Sequence, residues 1–244
     1  MVHAVIDLDL SLEGGVIFGF LGPNGAGKTT AIKMMAGILQ PTSGEVDVDG
    51  IRMSADPSRA KRLIGYMPQD VFIYDKLTVR EFLRFTCELY GGDFRREQAR
   101  AVELLDAFEL AGKAGALCGS LSGGQKQKLM LASLLMHRPK VLLLDEPTNG
   151  LDPKSAKLVK DLLRKLAAQG LAVLMSTHIM EVAERMCDQI GIIHQGKLVA
   201  QGTLDELRAQ AARGDGLGGQ ASLEDIFLEL TGGDNITQLI SLLE

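Results

Sequence analysis

Short apolar runs alternate along the chain with stretches that place apolar residues at helical spacing, and this alternation predicts an α/β fold. Val16-Ile17-Phe18-Gly19-Phe20-Leu21 is almost wholly apolar, as a strand covered on both faces should be. A Gly-rich loop follows, then a helical pattern from Lys28 to about Leu39, ended by Pro41-Thr42-Ser43-Gly44. Val46 to Val48 and Ile51 to Met53 flank Asp49-Gly50, a hairpin signal. From Val71 to His137 the pattern is helical. Within it, Thr78-Val79-Arg80-Glu81 has the form of a capping box, with Phe82, Leu83, Leu89 and Tyr90 on the apolar face that follows. Gly91-Gly92 stops that helix, and another runs from about Arg95 to Glu109. Strands at Val141 to Leu144 and Leu171 to Met175 enclose a helix from about Pro153 to Ala168. Ile190 to His194 and Lys197 to Ala200 pair around Gln195-Gly196, and Thr203-Leu204-Asp205-Glu206 caps a short helix. Arg213 to Gln220 holds four glycines in eight residues and reads as a flexible linker. Ser222 to Leu230 is a last short helix, stopped by Gly232-Gly233.

Composition narrows the class. With 244 residues, 46% hydrophobic and 23% charged, the chain can bury a large core without disulfides or metal staples. A disordered tail, a collagen-like repeat and a disulfide-rich module are excluded. A net charge of −5 argues against a duplex DNA surface, so no nucleic-acid partner is expected. Cys87, Cys118 and Cys187 fit no paired metal motif and are expected to be reduced and mostly buried. No stretch reaches the ~18–20 apolar residues of a spanning helix, and Met1-Val2-His3-Ala4 lacks a basic region before a long apolar run. The chain is therefore expected to be soluble and to meet a membrane only through a partner.

Three segments carry chemistry. Gly22-Pro23-Asn24-Gly25-Ala26-Gly27-Lys28-Thr29, followed by Thr30, matches the P-loop pattern between a buried strand and a helix. Glycines let backbone N–H groups turn around an anion, and the helix N-terminus adds partial positive charge. Lys28 can then reach the β- and γ-phosphates of a nucleotide, and the Thr29 hydroxyl can ligate Mg²⁺. Val141-Leu142-Leu143-Leu144 ends in Asp145-Glu146. Successive strand side chains point to opposite sides, so Asp145 is expected at the Mg²⁺ site and Glu146 beside an attacking water. Leu121-Ser122-Gly123-Gly124-Gln125 opens a helix expected to reach about His137 and offers a second anion site.

With these motifs in order, the chain resembles the ATP-binding subunit of an ABC (ATP-binding cassette) transporter. The resemblance implies a P-loop NTPase (RecA-like) α/β core with an inserted helical subdomain. It divides a single domain, 1–244, into a core at about 1–70 and 138–205, a helical subdomain at about 71–137 and an extension at about 206–244. It also implies that Gln69, in Tyr66-Met67-Pro68-Gln69-Asp70, touches the Mg²⁺ and water region. Asp152, in Leu151-Asp152-Pro153, matches the D-loop, and His178, in Ser176-Thr177-His178, the switch histidine of the γ-phosphate. Ser122, Gly123 and Gly124 of one subunit are expected to close on ATP held by Lys28 of another, in a homodimer or an ATPase heterodimer. The other implied partner is a transmembrane permease, which places the chain at the cytoplasmic face of the membrane. Gly196 to Thr203 and Ser222 to Phe227 resemble the ends of exporter-type subunits. The alternative is a soluble ABC ATPase of assembly or repair type.

Two features stand apart from the family pattern. No aromatic residue precedes Phe18, although the family stacks an upstream aromatic on adenine; its usual first strand is expected to be shortened or absent. Either the start is misassigned, or adenine is held loosely and ATP is weakly discriminated from GTP; without a guanine-reading Asn-Lys-x-Asp motif, ATP is the default. Seven of the eleven aromatics, Tyr66, Phe72, Tyr74, Phe82, Phe85, Tyr90 and Phe94, cluster in a short span. At least half are expected in the core. Phe72 and Tyr74, just past Gln69, are candidates for an apolar groove that takes a short helix of a membrane subunit.

Overall fold

The computed structural model describes residues 3–211 and 222–231. The Arg213 to Gln220 linker and the Gly232-Gly233 stop lie outside the described residues. The first strand, β1 (Ile17–Leu21), is buried along its whole length and leads through the Gly-rich loop into α1 (Lys28–Met35). A two-stranded hairpin, β2 (Asp47–Val48) and β3 (Ile51–Arg52), follows, then α2 (Pro57–Arg62) and β4 (Ile64–Met67). Helices α3 (Val79–Leu89), α4 (Phe94–Ala107) and α5 (Gly123–Leu134) come next. The chain then runs through β5 (Val141–Asp145), α6 (Pro153–Ala168), β6 (Ala172–Thr177), α7 (Met180–Met186), β7 (Gln189–His194) and β8 (Lys197–Gly202). It closes with α8 (Leu204–Ala211) and α9 (Leu223–Thr231).

Six strands form one sheet in the order β4-β5-β6-β1-β7-β8, parallel except for the antiparallel β7–β8 pair. Strand alternation divides its side chains between two apolar layers. Ile17, Leu142, Leu144, Val173 and Met175 pack with Phe82, Leu83, Phe94, Leu105 and Leu129 of the helical region. Phe18, Phe20, Leu143 and Leu174 face Ile32 of α1 on the opposite side. A third cluster, with Leu21, Ile190 and Ile192, takes Leu207, Leu223 and Ile226 of the last two helices. Because β1 lies between β6 and β7, the carboxyl ends of β1, β5 and β6 open onto one crevice, the usual binding position of such sheets.

Local signals explain most of the helix boundaries. The Thr78–Glu81 capping box is formed, with Thr78 N–H donating to Glu81 Oε2 at 2.7 Å and Glu81 N–H to Thr78 Oγ1 at 3.2 Å. Between residues 71 and 137, however, helix is interrupted, correcting the expectation of a helical pattern throughout. Residues 71–77 are irregular, and two short 3₁₀ turns occupy Ala111–Lys113 and Cys118–Ser120. The second lies on a link that holds the start of α3: Cys118 N–H donates to Leu77 O at 2.8 Å and Val79 N–H to Ala116 O at 3.0 Å. Helix α1 stops at Met35, short of Leu39, and α5 at Leu134, short of His137. Neither α2 nor β4 is predicted from the pattern. The first has a readable signal in its Asp56 N-cap and Pro57 at the first turn, whereas β4 is four residues long and is identified by pairing with β5. Residues 3–16 contain no strand; Ile6 N–H donates to Gly196 O at 2.7 Å, and Leu8, Leu10 and Leu12 pack under β1.

Of the clustered aromatics, Phe82 and Phe94 are buried, Tyr66 and Tyr90 half-buried, and Phe72, Tyr74 and Phe85 exposed. Cys87 and Cys118 are buried and Cys187 is partly covered. Burial raises all three thiol pKa values; for Cys187, burial first and the neighbouring Asp188 second push it up to about 12. Since the thiolate is the nucleophile, the native protein at pH 8 should show no fast-reacting thiol, and three should appear on denaturation, counted with a chromogenic disulfide reagent.

Candidate functional site

The crevice holds an open pocket of about 460 Å³. The Gly-rich loop supplies Asn24, Gly25, Gly27, Lys28, Thr29 and Thr30 to its wall, and β4 and β5 bring Gln69, Asp145 and Glu146. The N-terminal segment and the β7–β8 turn complete it with His3, Ala4, Gln195 and Gly196.

The loop takes its shape from backbone chemistry. Gly27, the N-cap of α1, has φ 108°, a left-handed conformation, and a Cβ there would sit 2.3 Å from Ala4 O. Gly22 and Pro23 do not line the pocket; their carbonyls accept from Lys28 Nζ at 2.6 and 3.1 Å. Ala26 is buried, and its carbonyl accepts from Gly196 N–H at 2.9 Å. The Lys28 ammonium is thus buried against its own loop. Burial pulls its pKa down, and the carboxylates of Glu146 and Asp145 push it back up.

Asp145 is held from two sides. Thr29 Oγ1 donates to its Oδ2 at 2.7 Å, and Ser176 Oγ, at the end of β6, donates to its Oδ1 at 2.5 Å. The same Ser176 oxygen accepts the Glu146 N–H at 3.0 Å. The sequence pattern gives Ser176 no role, because its reach to Asp145 depends on the β5–β6 register. Strand alternation does not extend to Glu146. The strand ends at Asp145, Glu146 adopts φ 53°, and both carboxylates face the same pocket. His178, just after β6, does not line the pocket, but its Nδ1 lies 2.8 Å from Glu146 Oε1.

The remaining predicted residues lie elsewhere. Ser122 caps α5 in a reciprocal box with Gln125: Ser122 N–H donates to Gln125 Oε1 at 3.1 Å and Gln125 N–H to Ser122 Oγ at 3.3 Å. Ser122 and Gly123 are exposed, and none of Ser122, Gly123, Gly124 or Gln125 lines the pocket. Asp152 caps α6, accepting from Lys154 and Ser155 N–H, both at 3.0 Å. Hydrogen bonds, that with the Ser155 side chain foremost, lower its pKa. His3, Ala4, Gln195 and Gly196 are pocket residues that the sequence pattern misses; Gln195-Gly196 carries only a turn signal, and no local pattern brings it to the loop.

Comparison with known proteins agrees with this arrangement. The ABC transporter family pattern matches residues 5–149. The chain is 40% identical over 223 residues to the probable multidrug ABC transporter ATP-binding protein YbhF of Escherichia coli (strain K12), covering 91% of this chain and 38% of that protein. It is 38% identical over 200 residues to the linearmycin resistance ATP-binding protein LnrL of Bacillus subtilis (strain 168), covering 82% and 64%. The chain thus spans about four-tenths to two-thirds of the length of these relatives. Among solved structures, an ATP-binding subunit of an ABC transporter superposes with a TM-score of 0.85 at 32% identity, covering 93% of this chain and 92% of that one. A dimeric post-hydrolysis state of the ATP-binding cassette MJ0796, bound to ADP and Pi, gives 0.76 at 28% identity, covering 83% and 91%.

Ser176→Ala should lower stability by about 1–3 kcal/mol in urea titrations, because it leaves Glu146 N–H and one Asp145 oxygen without their buried partner.

Proposed function

The chain belongs to the ABC transporter family, and from that premise we propose that it binds and hydrolyses ATP as the energy-supplying subunit of a membrane exporter. The observation that carries this reading is the convergence of Lys28, Thr29, Gln69, Asp145 and Glu146 on one pocket beyond the strand ends. Lys28 exchanges its contacts with the Gly22 and Pro23 carbonyls for phosphate oxygens and regains the counter-charge that burial denies it. The loop N–H groups and the α1 N-terminus hold the phosphates. The hydroxyl of Thr29 and the carboxylate of Asp145, 2.7 Å apart, are hard oxygen donors suited to Mg²⁺, with Gln69 beside them. Bound there, Mg²⁺ neutralises phosphate charge.

Glu146 polarises the attacking water and takes its proton as the new P–O bond forms and the β–γ bridge breaks, leaving ADP and phosphate. His178, hydrogen-bonded to Glu146, holds that carboxylate and would sense the γ-phosphate through it. Ser122 and Gly123 lie exposed and Gly124 half-buried at the start of α5, outside their own pocket, which suits a head-to-tail dimer in which they close on the partner's nucleotide. Gln125 keeps that turn capped, and Asp152 presents the adjoining loop. The 71–137 helical part then works as a subdomain against the 1–70 and 138–205 core. The structurally similar cassette MJ0796 has been solved as a dimer.

A permease is the proposed membrane partner, and it places the chain at the cytoplasmic face. Phe72 is 81% exposed and Tyr74 59%, and Tyr74 packs edge-on against Phe85 at 5.2 Å, exposed apolar side chains past Gln69 suited to a short permease helix. Among the described residues, no helix is long and apolar enough to cross a membrane.

Glu146→Gln should lower ATP turnover by ~10²–10⁴ while retaining nucleotide binding, and light scattering should then show an ATP-dependent dimer. Near-normal turnover would move the base role elsewhere. Phe72→Ala should uncouple transport in reconstituted vesicles and leave basal hydrolysis unchanged; equal loss of both would make Phe72 part of the fold.

A further inference from the structure

Sheet order sets two ends to the pocket, with Gln69, Asp145 and Glu146 on the β4–β5 side of β1 and Gln195 and Gly196 on its β7–β8 side. Lys28, Thr29, Gln69, Asp145 and Glu146 crowd one end with charge and hydroxyl. His3, Ala4, Gln195 and Gly196 wall the other with backbone and the side chains of His3 and Gln195. A nucleotide whose phosphates occupy the charged end has its nucleoside at the other. We propose that the β7–β8 turn forms this nucleoside wall and that Gln195 reads the base edge. The inference rests on the reading of the pocket as an ATP site.

The turn is fixed to the phosphate loop. Gly196 N–H donates to Ala26 O at 2.9 Å, and Gly196 O accepts Ile6 N–H at 2.7 Å. Gly196 has φ 80°, and a Cβ there would come within 3.0 Å of Ala4 O. Loop, turn and N-terminal segment therefore meet backbone to backbone, which sets the distance between the phosphate end and Gln195.

Gln195 itself is an outlier. It has φ 48°, ahead of Gly196 at φ 80°, in a tight turn where glycine, asparagine or aspartate is the easier choice. A longer side chain at a disfavoured backbone position is a mark of function when it faces a pocket, and Gln195 lines this one. Its carboxamide both donates and accepts, as pairing with the amino group and ring nitrogen of adenine requires. A rotated amide can also serve guanine, so Gln195 supplies base affinity with modest discrimination.

The test is equilibrium binding of ATP, GTP and inorganic tripolyphosphate, each with Mg²⁺, by calorimetry. Gln195→Gly removes the side chain and relieves the left-handed strain, so the fold should be kept, as a melting temperature at or above wild type would show. ATP affinity should fall about 3–10-fold, the worth of one or two hydrogen bonds, with tripolyphosphate affinity unchanged. Gln195→Glu, an acceptor only, should lower the ATP-to-GTP affinity ratio about threefold or more, because its carboxylate accepts from guanine N1–H and the 2-amino group but repels the adenine ring nitrogen. Wild-type ATP affinity in Gln195→Gly, parallel loss of ATP and tripolyphosphate, or an unchanged ratio in Gln195→Glu would overturn the role of Gln195. Wild type binding tripolyphosphate as tightly as ATP would overturn the nucleoside wall and leave the phosphate site standing. Wild type binding neither would overturn the ATP reading and this inference together.

Discussion

A buried carboxylate governs the active end of this molecule. Asp145 closes β5 with its side chain 1% exposed, and a charge so placed needs partners for both oxygens. Thr29, from the first turn of α1, supplies one hydrogen bond and Ser176, from β6, the other. Ser176 also receives the Glu146 N–H, which helps fix the left-handed turn that brings the second carboxylate into the pocket. Three segments far apart in sequence are thereby held to within hydrogen-bond tolerance. That preorganisation is what a site acting by positioning and charge neutralisation demands.

The sheet makes this possible because it is covered on both faces. Leu142 and Leu144 point toward the helical region while Leu143 points toward α1, so β5 cannot slip by one residue without exchanging its two cores. Register fixes Asp145 opposite Ser176. The apolar layers thus do more than stabilise: they set where the carboxylate ends up.

Contacts of other kinds tie α5 to the elements around the pocket. Gln127 Nε2 donates to Pro147 O at 2.5 Å, one residue past Glu146. Glu109, left-handed after α4, pairs with Lys128 of α5 and Lys154 of α6, both at 3.1 Å. The helix that begins at Ser122 and the loop that follows Glu146 are therefore joined through a buried amide. His137 stacks on Tyr90 at 3.7 Å and donates through Nε2–H to Ile64 O at 3.1 Å, a second joint between the helical region and the sheet.

Much of this was legible in the chain itself, and for local reasons. The P-loop spacing, the capping box at Thr78, the helix start at Ser122 and the strand ending in Asp145-Glu146 each depend on neighbours within a few residues, where backbone geometry and hydrogen bonding leave few choices. Strand β4 was not legible, because four residues around a glycine carry no periodicity and acquire strand character by pairing with β5. Both carboxylates were expected at one site, but alternation could not give the direction of Glu146, because the strand ends at Asp145 and a left-handed residue follows. The linkage of Ser176 to Asp145 and the arrival of Gln195 beside the phosphate loop belong to tertiary structure alone: both arise from sheet register and strand order, which bring together groups that no local interaction relates.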